Sequence, residues 1–85
     1  MQRYFFNIHN GTGLTEDLEG LELEGPEAAR EQALSGIRSL VREEVEKGLV
    51  DMDGHLDVVD AAGTLIFSVS FREAVTFRMR GGDAK

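Results

Sequence analysis

The chain has 85 residues, 41% of them apolar, and a formal net charge of −7. A chain of that length supports one hydrophobic core, burying roughly 60% of the surface it exposes when unfolded, and excludes a second domain. Its lack of cysteine excludes disulfides, thiolate chemistry and Cys-based zinc sites, and its acidity argues against a nucleic-acid binder, which needs Lys and Arg to neutralise phosphates and release counterions.

From Arg3 to His9 the residues alternate. Tyr4, Phe6 and Ile8 fall on one face and Arg3, Asn7 and His9 on the other, the period-two pattern of a half-buried strand. Phe5 breaks the alternation by placing an apolar ring on the second face. Asn10-Gly11 is a tight-turn pair, because both residues tolerate positive φ, and a short return strand is expected over residues 13–16. Asp17-Leu18-Glu19-Gly20 reads as a second turn, and Leu21-Glu22-Leu23 as an edge strand or extended connection before Gly25-Pro26.

Pro26 suits the first turn of a helix, where its missing N–H has no partner to lose, and Glu27 complements the helix dipole. Between Pro26 and Lys47, Ala29, Ala33, Ile37, Leu40, Val41 and Val45 recur at three- and four-residue steps, with charged residues mostly elsewhere on the wheel. This predicts one long amphipathic helix, closed by Lys47-Gly48. Gly36 costs about 1 kcal/mol inside a helix, and a close helix–sheet approach is the expected reason for it.

Two strands are expected next, over residues 56–60 and 64–71, joined through Ala61-Ala62-Gly63. Leu65, Phe67, Val69 and Phe71 are assigned to the inner face of the second strand, and Ile66, Ser68 and Ser70 to the outer. Residues 72–77 begin a helical turn or a final edge strand. The domain is set at residues 1–77, with a flexible C-terminal tail over 78–85. Because every sheet face and helix stripe must find a partner, the expected fold is α+β and two-layered. One long amphipathic helix packs on a three- to four-stranded, mainly antiparallel sheet in the order β-β-α-β-β.

The opening Met1, Arg3, Tyr4, Phe5, Phe6 and Asn10-Gly11, the Asp17-Leu18-Glu19-Gly20 turn with Leu21-Glu22-Leu23, the Ala28-Ala29-Arg30 helix start and the closing Phe71-Arg72-Glu73-Ala74 resemble a family of small uncharacterised bacterial proteins, a domain of unknown function. The likeness spans residues 1–75. It implies a compact domain in a bacterial cytoplasm and no catalytic residues.

No chemical constellation emerges from the residues themselves. Asp51-Met52-Asp53-Gly54-His55-Leu56-Asp57 is the most metal-like run, but with Asp51 as first ligand the EF-hand glycine position holds Leu56 and the bidentate Glu position holds Ala62. It reads as a polar turn before a strand. His9 and His55, the two histidines, read as solvent-facing strand-end residues, and no Gly-x-Ser-x-Gly elbow is present. Gly11-Thr12-Gly13 lacks the third glycine and helix of a phosphate loop. Phe77-Arg78-Met79-Arg80-Gly81-Gly82 is similar to the diglycine tail of ubiquitin, with Asp83-Ala84-Lys85 still to be removed.

The expected function is a non-enzymatic protein-interaction module with no catalytic, cofactor or metal site. It meets a protein partner or a second copy of itself through the sheet face that carries Phe5 and Ile66, since one helix covers only one face of a sheet. A small-ligand-binding regulatory domain and a ubiquitin-like modifier are the alternatives. No apolar run approaches the ~20 residues of a membrane span, and the opening lacks a signal-peptide core, so neither membrane nor nucleic acid is an expected partner and the expected location is the cytoplasm.

Overall fold

The computed structural model describes residues 1–11 and 13–75. Five strands and two helices follow in the order β1 (Gln2–Asn10), β2 (Gly13–Thr15), β3 (Leu21–Leu23), α1 (Pro26–Lys47), β4 (His55–Asp60), β5 (Leu65–Ser70) and α2 (Phe71–Ala74). All strand pairings are antiparallel, in the spatial order β2-β1-β4-β5, with β3 also paired to β1. The fold is α+β, one long helix across one antiparallel sheet.

β2 and β3 share one edge of β1. β2 pairs with Ile8 to Asn10 and β3 with Gln2 to Tyr4, while the other edge of β1 pairs with β4 from Tyr4 to His9. The two short strands thus behave as one interrupted edge strand, and residues 16–20 bridge the gap. The Asp17 carboxylate fills it by accepting the N–H groups of Phe6, Glu19 and Gly20 at 3.2, 3.2 and 3.0 Å, and the Asp17 N–H donates to Asn7 Oδ1 at 2.9 Å. The Phe6 N–H, which the break in pairing leaves without a strand partner, is satisfied in this way.

α1 begins at Pro26 as its sequence predicts and ends in a left-handed Gly48. The Gly48 N–H reaches Val45 O at 3.0 Å and the Leu49 N–H reaches Glu44 O at 3.2 Å, so two carbonyls of the last turn are satisfied. Its buried face is Ala29, Ala33, Ile37 and Val41. With Tyr4, Leu56, Val58, Val69, Phe71 and Ala74 these form the core, and Phe6, Ile8 and Phe67 pack around it. Small alanines at the helix start allow a close approach to the sheet; the larger Ile37 and Val41 fill the space farther along.

Three assignments need correction. Val45 is 58% exposed rather than part of the buried stripe: α1, about 33 Å long at 22 residues, outruns the roughly 20 Å of β4 and β5. Gly36 lies on the exposed face, with no atom within 4 Å of the position a Cβ would take, so no close packing explains it. Leu65 is 56% exposed instead of sharing the inner face with Phe67 and Val69. The register shifts between Val58, opposite Phe67, and Val59, opposite Leu65, so Ile66 is the extra residue of a bulge that turns Leu65 outward.

Phe71 is fully buried, as its place in the pattern predicts, but from the first turn of α2 rather than from a strand. Ser70 caps this turn. Its hydroxyl accepts the Glu73 N–H at 3.1 Å while the Glu73 carboxylate accepts the Ser70 N–H at 2.9 Å, a reciprocal capping box. Arg38 of α1 donates to the Ala74 carbonyl at 2.8 Å and ties the short helix to the long one.

Candidate functional site

The helix-free face of the sheet follows from strand alternation. Because Tyr4, Phe6, Ile8, Leu56, Val58, Phe67 and Val69 turn toward the core, their neighbours Phe5, Asn7, His9, His55, Asp57, Val59, Ser68 and Ser70 turn away from it. This face has two halves.

The apolar half lies at the bulged end. Phe5 pairs with Val59, Val59 pairs with Leu65, and Ile66 stands beside them. The two residues singled out from the sequence, Phe5 and Ile66, lie on the two strands that flank β4, Phe5 on the helix-free face and Ile66 at the bulge. Phe5 is half-buried, its ring against the Gly20 turn, and it borders an open depression with Leu18, Val59 and Ala61. Ile66 is 38% exposed, and Leu65 beside it more so.

The polar half lies at the other end. His9 and His55 are cross-strand partners, with rings stacked at a centroid distance of 4.5 Å and an interplanar angle of 9°. Asp57, two residues along β4, projects on the same side. Its Oδ2 is 3.2 Å from His9 Nε2 and its Oδ1 is 3.6 Å from His55 Nε2. Ser68 on β5 is paired with Asp57 and donates its hydroxyl to Oδ1 at 2.8 Å. Donor atoms from His9, His55 and Asp57 all lie within 4.8 Å of one another.

Alternation places each histidine on the outer face of its strand, and the i, i+2 spacing puts Asp57 beside His55; both facts are legible in the sequence. That β1 pairs with β4, in a register setting residue 9 against residue 55, is not. The Asp51–Asp57 run divides accordingly. Asp51 accepts the Asp53 N–H at 2.9 Å and the Gly11 N–H at 2.7 Å, which stabilise its charged form and lower its pKa. Asp53 pairs with Arg72 at 3.1 Å. The start of the run thus organises a turn, as read from the sequence, while its end, His55 and Asp57, belongs to the cluster on the sheet.

Gly54 joins the turn to the core. Its carbonyl accepts the Phe71 N–H at 3.0 Å, and a Cβ there would fall 2.6 Å from the His9 carbonyl oxygen and 2.7 Å from the Phe71 ring. Only a glycine lets β1, β4 and α2 close at this corner. Residues 77–82, on which the modifier reading rests, lie outside the described residues. Among the described residues no helix is long and apolar enough to cross a membrane.

No curated protein and no solved structure matches the chain. A family model does, over residues 3–72, from the start of β1 into α2. With most of its length inside that match, the chain belongs to the domain of unknown function DUF6894.

Proposed function

We propose that this domain is a non-enzymatic protein-interaction module that self-associates through β5. The observation that carries this reading is the join between an exposed apolar surface and a sheet edge. Leu65 and Ile66 extend the apolar half of the helix-free face to β5, which among the described residues pairs on one side only, with β4. A strand edge presents unpaired N–H and C=O groups to another strand, and proteins that avoid such pairing place charges or prolines there. Leu65–Ser70 has neither.

A second copy of the chain suits this edge better than a charged partner. In a molecule of net charge −7, β5 is a strand without an ionisable residue, so two copies meet there with little like-charge repulsion from the strands themselves. Antiparallel pairing of β5 with its symmetry mate is self-complementary, as a two-fold interface must be. It would extend one sheet across both copies and set Leu65 and Ile66 of each copy against the Val69–Ser70 end of the other. The cysteine-free composition fits a reducing compartment, and the proposal places the module in the bacterial cytoplasm.

Light scattering on the full chain across a concentration series tests the reading. A dimer mass that reverts to monomer in an Ile66→Glu variant with unchanged circular dichroism supports it. A monomer at every concentration overturns self-association through this edge.

A further inference from the structure

We propose that His9, His55 and Asp57 bind one divalent transition-metal ion, with Zn²⁺ the ion their donors match, on the helix-free face of the sheet. The donor set is two imidazole nitrogens and one carboxylate oxygen, the mixed N/O chemistry that zinc accepts and that magnesium and calcium, which take oxygen ligands, do not.

The spacing fits. Tetrahedral zinc with bonds of about 2.0–2.2 Å holds its ligand atoms about 3.4 Å apart. Asp57 Oδ2 lies 3.2 Å from His9 Nε2, and one ligand atom from each of the three residues lies within 4.8 Å of the others. The backbone positions are held by sheet pairing: His9 opposite His55 on β1 and β4, with Asp57 next on the same side of β4. Loading requires side-chain rotation alone.

That rotation is specific. An ion lies near the plane of each imidazole that ligates it, so the parallel rings must turn out of their stack to share one ion. Their side chains are 40% and 44% exposed, which leaves room for the turn. Asp57, at 24%, is the more enclosed ligand and is oriented from behind. Ser68 Oγ donates to its Oδ1 at 2.8 Å, leaving Oδ2, the oxygen nearer His9, for the ion. Such an outer partner fixes a ligating carboxylate, and its loss typically weakens metal binding about 10- to 100-fold. Three protein ligands leave a coordination position for water.

The test uses the tag-free full chain, stripped with chelator and titrated with zinc chloride, followed by calorimetry and by NMR of the imidazole ring protons. Expected are one ion per chain, concerted shifts of the His9 and His55 ring signals, and a higher unfolding temperature in zinc than in chelator. Asp57→Asn and His55→Gln should each weaken binding at least about tenfold, and Ser68→Ala by about tenfold, with circular dichroism unchanged. Ile66→Glu should bind zinc as the parent does, which separates this site from the β5 interface.

Ring signals that ignore zinc overturn the proposal, and this readout on the unmodified chain decides it even if a variant fails to fold. Unchanged affinity in a His9→Gln, His55→Gln double variant also overturns it, by placing the ion on surface carboxylates elsewhere. An equal response to calcium does the same, because calcium would not select the imidazoles.

Discussion

The Asp17 carboxylate accepts the Phe6 N–H at 3.2 Å, and through that bond a side chain supplies what neither β2 nor β3 supplies to β1. The same carboxylate holds the turn that leads into β3, through Glu19 and Gly20. Asp17 is thus the splice between two short strands that would otherwise each have to find β1 alone.

Removing the splice should be costly. Asp17→Ala leaves a partly buried backbone donor unpaired and releases the turn, with an expected loss of about 1–3 kcal/mol. Asp17→Asn, which keeps one acceptor oxygen, should lose less. Urea unfolding of both variants checks the order, and equal losses would mean that charge rather than the acceptor matters.

Two glycines should respond in opposite directions to alanine. At Gly54 the added methyl meets the His9 carbonyl and the Phe71 ring at under 3 Å, and overpacking of that kind costs about 1–3 kcal/mol. The Phe71 ring must shift, so the environment of α2 should change in NMR spectra as well.

At Gly36 a methyl meets nothing within 4 Å, on a fully helical stretch of α1. Gly36→Ala should stabilise the domain by about 0.5–1 kcal/mol, because alanine is the better helix former and narrows the unfolded ensemble. A rise in the urea midpoint with unchanged slope is the expected signature.

Asp51 gives stability a pH dependence of known sign. The Asp53 and Gly11 N–H groups favour its charged form, so its pKa in the folded state lies below that in the unfolded chain. Its contribution is complete above the unfolded value, where the carboxylate is charged in both states. It is lost as pH falls through the lowered folded value, because the unfolded chain takes up the proton first. Asp51→Asn should therefore lower the urea midpoint at neutral pH and make the acid side of the stability profile less steep. An unchanged acid limb would remove Asp51 from this role.

The Ser70 capping box predicts a local effect. Ser70→Ala removes the acceptor for the Glu73 N–H, with an expected loss of about 0.5–2 kcal/mol. Hydrogen exchange should quicken in residues 71–74 more than in β1, since the cap serves a single turn.

Much of the architecture follows from local chemistry that the sequence states directly. Pro26, the apolar residues Ala29, Ala33, Ile37 and Val41 at i, i+4 steps, and Gly48 define α1 from end to end because helix geometry depends on near neighbours. Alternation in β1 and β4 likewise assigns Tyr4, Phe6, Ile8, Leu56 and Val58 to the core before any partner strand is known, and Phe5 to the opposite face. Alternation fails at Leu65 for a tertiary reason: a bulge is a property of two paired strands, and nothing in Leu65-Ile66-Phe67 alone shows where β4 will skip a residue. Val45 follows the helical period yet stays exposed, because burial needs a sheet beneath it as well as a stripe. The His9–His55–Asp57 cluster is the clearest case. Forty-six positions separate the two histidines along the chain, and only the register of β1 on β4 brings them face to face. Periodicity determines which face a residue takes; strand pairing, set by the packing of the whole domain, decides which residues meet on that face.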